Sequence, residues 1–180
     1  SWYTINGNFA RVEYQNPNLA VADSILHIAE RVLPRLANLH GLPLRQLEKH
    51  QVRIILTDAP DISNGMAFGK SVLIYAQSSM YMPGWTGPHT WYETVVTHEL
   101  ALYVTFLKIR RKFNLFGEAA NLSVPRWFYE GVAQYFAENW NTCRGDIYIK
   151  NAVLSGQLNY SSLEDINDGR LLYASGHAFI

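Results

Sequence analysis

Thirteen consecutive residues, Val95-Val-Thr-His-Glu-Leu-Ala-Leu-Tyr-Val-Thr-Phe-Leu107, hold only two side chains that are charged or titrate near neutral pH, His98 and Glu99. At 3.6 residues per turn, His98 falls in line with Trp91, Val95, Leu102 and Phe106, while Glu99 has Val95 and Tyr103 one turn to either side. A helix that is apolar nearly all round is a buried helix, so both polar groups should sit inside a folded domain. An unpaired buried carboxylate costs several kcal/mol. A lone histidine on such a helix reads as a satisfied core residue; with a glutamate beside it, the pair reads as a site.

Around this helix the pattern is mixed. Phe9 to Tyr14 alternates as a strand, with a shorter strand at Trp2 to Ile5 and a hairpin signal at Asn6-Gly7. Pro17 and Asn18 open a helix whose Ile25, Ile28, Ala29, Val32, Leu36 and Leu39 share a face; Gly41 stops it and Pro34 should kink it. Gln51 to Thr57 and Ser71 to Gln77 read as strands, separated by a turn-rich loop from Asp58 to Gly69. Ser78 to His89 is loop, and the long helix runs from about Trp91 to Lys112. A second helix has Ser123 as its N-cap and Pro125 in its first turn, and extends to about Asn139. Asp146 to Lys150 reads as a short strand, and Leu171 to Ile180 as a helix still apolar where the sequence stops. The class expected is α+β.

Composition bounds the function. Fifteen basic and fifteen acidic residues leave no surplus of positive charge, which argues against nucleic acid or an anionic membrane as the main partner. The basic run Lys108, Arg110, Arg111 and Lys112 falls where cations complement the negative end of the long helix. Cys143 is the single cysteine, so no intrachain disulfide forms. No apolar stretch approaches the ~20 residues of a membrane span. Charged residues make up 17% of the 180-residue chain beside 5 Trp, 11 Tyr and 8 Phe. That is charge-poor for one domain and suggests surface to be covered, for which more of the same polypeptide is a candidate. The apolar end at Ile180 points the same way, to a domain truncated on its C-terminal side.

His98-Glu99 is the first half of the zinc-peptidase pattern His-Glu-x-x-His. Residues four apart lie about 40° apart on a helix, so two imidazoles can share one metal while the intervening glutamate reaches its bound water. Here Leu102 stands at the second histidine position. A second helix strengthens the reading: in Pro125-Arg-Trp-Phe-Tyr-Glu-Gly-Val-Ala-Gln-Tyr-Phe136, Glu130 stands among aromatic residues. Gly131, which costs about 1 kcal/mol in a helix relative to alanine, suits the close approach of another helix or a metal. Glu130 can also be read as a solvated carboxylate on a stripe with Arg126 and Gln134.

His98-Glu99-Leu100, followed by Pro125, Trp127, Glu130-Gly131, Ala133 and Tyr135, resembles the gluzincin zinc metallopeptidases, most closely the bacterial peptidase MA-like domains that often precede a TolB-type β-propeller. The resemblance implies a zincin-like fold over residues 1–180, a small mixed sheet followed by the active-site helix and by a second helix carrying a Glu ligand. It implies zinc as cofactor, His98 and Glu130 as ligands, and Glu99 as general base. Tyr173 would donate to the developing oxyanion, although a tyrosine on an apolar helix is also an ordinary core residue. Ser71 to Gln77 would be the sheet edge on which a peptide or protein substrate pairs, and an extracytoplasmic location would follow.

Catalytic zinc usually has three protein ligands, so Leu102 leaves three explanations open. The chain is a pseudopeptidase, it carries an isolated substitution, or another ligand such as His89 or His177 replaces the missing one. The function expected is zinc-dependent peptide hydrolysis, impaired at Leu102. The alternative is a noncatalytic module that holds a peptide or a neighbouring domain.

Overall fold

The alternating stretches pair into one five-stranded sheet. The computed structural model describes residues 1–16, 18–58, 65–75, 91–113, 124–137, 142–157, 175, 176 and 178. The strands are β1 (Trp2–Asn6), β2 (Ala10–Gln15), β3 (Val52–Thr57), β4 (Gly65–Phe68) and β5 (Ser71–Tyr75), in the order β1-β2-β3-β5-β4. The central strands β2, β3 and β5 run parallel, and β1 and β4 pair antiparallel at the two edges. Together with the helices this is a mixed α+β architecture. The backbone divides into two compact units, Ser1–Val104 and Thr105–Ile180.

In the first unit, period-two alternation puts Ala10, Val12 and Tyr14 of β2 on the same face as Val52, Ile54 and Leu56 of β3 and Val72 and Ile74 of β5, all buried. Helix α1 (Leu19–Leu39) contacts β1 and β2 and buries Ala22, Ile25, Ile28, Ala29, Val32, Leu33, Leu36 and Ala37. It runs through Pro34 as one helix. Leu39, expected on the buried face, is exposed at the last position of the helix. Gly41, at φ 60°, stops the helix: its N–H donates to the Asn38 carbonyl, and the Leu42 N–H donates to that of Ala37.

The turn joining β1 and β2 is held by a residue twenty positions away. The Glu30 carboxylate on α1 accepts hydrogen bonds from the N–H groups of Asn8 (2.9 Å), Phe9 (2.8 Å) and Ala10 (2.9 Å). A Cβ on Gly7 would lie 2.4 Å from Glu30 Oε1, so the turn needs glycine there to admit the carboxylate. Three charge-assisted bonds predict that Glu30→Gln lowers stability by about 2 kcal/mol, read as a shift in the urea midpoint. An unmoved midpoint would show that the clamp contributes nothing.

On the other sheet face Arg53 of β3 grips Glu13 of β2 in a bidentate pair, Nε to Oε1 at 2.7 Å and the terminal nitrogen to Oε2 at 2.6 Å. The hydrogen bonds from Arg53 hold the Glu13 carboxyl below its usual range against the opposing pull of burial. A depressed folded-state pKa contributes stability above the unfolded value, and that stability is lost as pH falls through the folded value. Glu13→Gln is therefore expected to flatten the acid limb of the stability profile below about pH 4.5, the ordinary carboxylate value. An acid limb identical to that of the parent would contradict this.

In the first unit three elements differ from expectation. The stretch read as loop between Asp58 and Gly69 contains β4: Gly65 is a strand residue, and the turn comes at Gly69, where φ is 53°. The strand from Ser71 is consequently not an edge, because β5 is hydrogen-bonded to β3 on one side and β4 on the other. A short helix, α2 (Leu44–Lys49), buries Leu47. The helix read from Trp91 is α3 (Trp91–Phe113), within which the unit boundary falls.

The second unit contains α4 (Arg126–Ala137) and α5 (Thr142–Leu154). The Pro125 carbonyl accepts from the N–H groups of Phe128 and Tyr129, so Pro125 stands just before the first turn of α4; Ser123 lies outside the described residues. Asp146 to Lys150, read as a strand, is part of α5. Five alternating residues are too few to separate the two periodicities, and the stop lies downstream. Gly156, at φ 70°, donates to the Val153 carbonyl while Gln157 donates to that of Ala152. Of the segment from Leu171, only Ser175, Gly176 and Ala178 are described, with helical backbone. Among the described residues no helix is long and apolar enough to cross a membrane.

Candidate functional site

Within the first unit α3 behaves as its composition requires. Val95, Val96, Leu100, Ala101, Leu102, Tyr103 and Val104 are buried. The first turn is tied to α1 by an ion pair between Glu93 and Arg31, and Thr97 Oγ1 donates to the Glu93 carbonyl at 2.7 Å. Burial pushes the Tyr92 phenol pKa up. His98 is half-buried, and Glu99, at 6% exposure, is the one charged residue that is buried among the described residues. Its Oε2 atom is enclosed and accepts no hydrogen bond, although the residue as a whole is engaged.

The edge strand reaches this carboxylate. A Cβ built on Gly65, the first residue of β4, would lie 2.7 Å from Glu99 Cγ, 3.2 Å from Glu99 Cδ and 2.8 Å from Val95 Cγ2. The backbone of the edge strand therefore runs directly against the side chain of Glu99. Ala67 shares this face, while Met66 and Phe68 point away from it and are exposed. Gly-Met-Ala-Phe thus alternates small and large, with the small residues toward α3. The Asn64-Gly65 turn signal hid this meaning; the alternation Gly65-Met66-Ala67-Phe68 was the signal that could have shown it.

Leu102, one turn on from His98, is buried at 7% exposure. Its side chain offers no lone pair. Among the described residues no group of three or more His, Cys, Asp or Glu is placed to hold a metal. The donors on α3 do not fit a three-ligand catalytic zinc. His89 and His177 lie outside the described residues, as does Tyr173.

In the second unit Glu130 lies on α4, its side chain 13% exposed, with Oε1 3.5 Å from Nε of the exposed Arg126 one turn earlier. Arg126 is solvent-exposed and Glu130 is mostly enclosed, so Glu130 is not the solvated carboxylate of the alternative reading. The neighbouring Tyr129 packs edge-on against Phe106 with ring centroids 4.7 Å apart, and burial pushes its phenol pKa up. Gly131 meets another backbone: a Cβ there would lie 2.3 Å from the carbonyl carbon of Gly176, and one on Gly176 would lie 2.3 Å from the Trp127 oxygen. Close approach of a second segment accounts for the glycine inside α4.

Comparison with protein-family models, with curated proteins and with solved structures gives no match. The functional reading therefore rests on the residues.

Proposed function

We propose that this chain carries a metallopeptidase domain of the gluzincin type, acting on an extended peptide, in which zinc-dependent hydrolysis is impaired by Leu102. The observation that carries the reading is Glu99, a carboxylate buried on an apolar helix with the backbone of an edge strand against it. A buried carboxylate is costly, and its place beside an exposed sheet edge suits a group that meets substrate. Among the described strands β4 has a neighbour on one side only, so a peptide could add to it as a further strand. In this reading Glu99 is the general base, and His98 and Glu130 are the remnants of the ligand set. The leucine at position 102 supplies no donor for zinc.

Leu102 itself favours a second reading, in which the same edge holds a peptide or a neighbouring domain without cleaving it. Metal analysis and peptide hydrolysis, measured on the parent chain and on Leu102→His, separate the two. If the variant gains both zinc and turnover, and Glu99→Gln then removes the turnover, the peptidase reading stands. A variant that gains neither would refute it, and tight stoichiometric zinc in the parent would refute the impairment.

A further inference from the structure

We propose that Gly65 is a positioning residue for Glu99: the bare backbone of the edge strand at this position sets the seat of the carboxylate. The inference rests on the reading of Glu99 as the functional carboxylate, but its geometry stands without it.

Among the described residues of the first unit two glutamates lie against glycines, and the two seats differ. At Gly7 the nearest atom to a built Cβ is an oxygen of Glu30, and that carboxylate is consumed by three backbone N–H groups. Such a carboxylate is a structural clamp. At Gly65 the nearest atoms are Cγ and Cδ of Glu99 and a methyl of Val95. The strand presses on the stem of the side chain and on the residue one turn before it.

Contact below 3.0 Å leaves no room for a methyl group, and the two sides are not equally free to move. Gly65 is fixed by its register opposite Ile74, and Val95 is held in the buried face of α3. The Glu99 side chain has the rotatable bonds, so a side chain at position 65 displaces Glu99 rather than the strand. Gly65 thereby selects the rotamer in which the carboxylate lies beside the sheet edge. A reacting group misplaced by about 1 Å can lose on the order of a hundredfold in rate, so a glycine at this point of an edge strand has a function beyond packing.

The test uses the full chain with 13C-labelled glutamate carboxyls, the Glu99 signal being assigned by its loss in Glu99→Gln. In Gly65→Ala the Glu99 carboxyl resonance is expected to move by more than its linewidth, because the stem of the side chain is displaced. In Gly7→Ala, which crowds the structural clamp, it should stay where it is. A folded Gly65→Ala with an unmoved Glu99 signal overturns the proposal.

Gly65→Ala is also expected to lower Tm by about 5 °C. Adding Glu99→Ala, which removes Cγ and Cδ, should recover much of that loss. Failure of this rescue overturns the proposal even where the single variant unfolds too readily for spectroscopy. Neither readout involves zinc or hydrolysis. A peptidase reading refuted at Leu102→His would leave both results standing, and an unmoved Glu99 would leave the peptidase reading standing.

Discussion

Gly131→Ala is expected to destabilise the second unit by about 3 kcal/mol, although alanine is the better helix former. The helix-propensity gain is about 1 kcal/mol. Against it stands a methyl carbon 2.3 Å from the Gly176 carbonyl carbon, 2.4 Å from its oxygen and 2.7 Å from its Cα. All three are backbone atoms, so no side-chain rotation relieves the overlap, and the two segments must separate. Insertion of a methylene into a packed interior costs about 1–3 kcal/mol even where flexible side chains can yield. Here the upper end applies, and the sign follows from the steric term. Thermal and urea unfolding followed by far-UV circular dichroism would measure it. A variant as stable as the parent, or more stable, would mean that α4 and the Gly176 segment do not meet at this distance.

Leu102→His is expected to raise zinc affinity about a hundredfold or more, with a fall in stability of the metal-free protein. Leu102 is buried at 7% exposure, so replacing it with an imidazole removes apolar burial and introduces a polar ring, at a cost of about 2–3 kcal/mol. The compensation is geometric: His98 and position 102 lie one turn apart on α3 and can bind one ion together. Binding to the folded chain then stabilises it in proportion to the logarithm of zinc concentration. The signature is thus two opposite movements, a lower Tm without metal and a rise on adding zinc that the parent lacks. Equilibrium dialysis and thermal unfolding across a zinc series would check both, and equal zinc affinity in the two proteins would contradict the prediction.

The parts legible in the sequence are those in which one periodicity persists. The strands around Val12 and Ile54 alternate cleanly, the face of α1 from Ile25 to Leu36 repeats at helical spacing, and Gly41 ends that helix. The burial of Glu99 follows from the apolar run around it. β4 was not legible, because Gly65 and Gly69 both look like turn residues and only Gly69 is one. The two glycines answer different demands, one for a left-handed backbone and one for space, and residue type alone does not distinguish them. The position of the sheet edge went with it, since a strand counted as loop makes its neighbour look terminal. The helix at Asp146 is not legible because its short alternation suits a strand equally well. The partner of Gly131 was expected only as another helix or a metal. Sequence separation conceals that it is a second glycine, at position 176.

The clamp at Glu30 makes the first hairpin dependent on a distant helix. Hairpins ordinarily take their register from their own turn and can form before the rest of the chain. Here the amides of Asn8, Phe9 and Ala10 have their acceptor on α1, so the turn is complete only when that helix is docked. Helix and hairpin therefore gain their order together and lose it together. The first edge of the sheet is thus a product of tertiary assembly rather than its starting point.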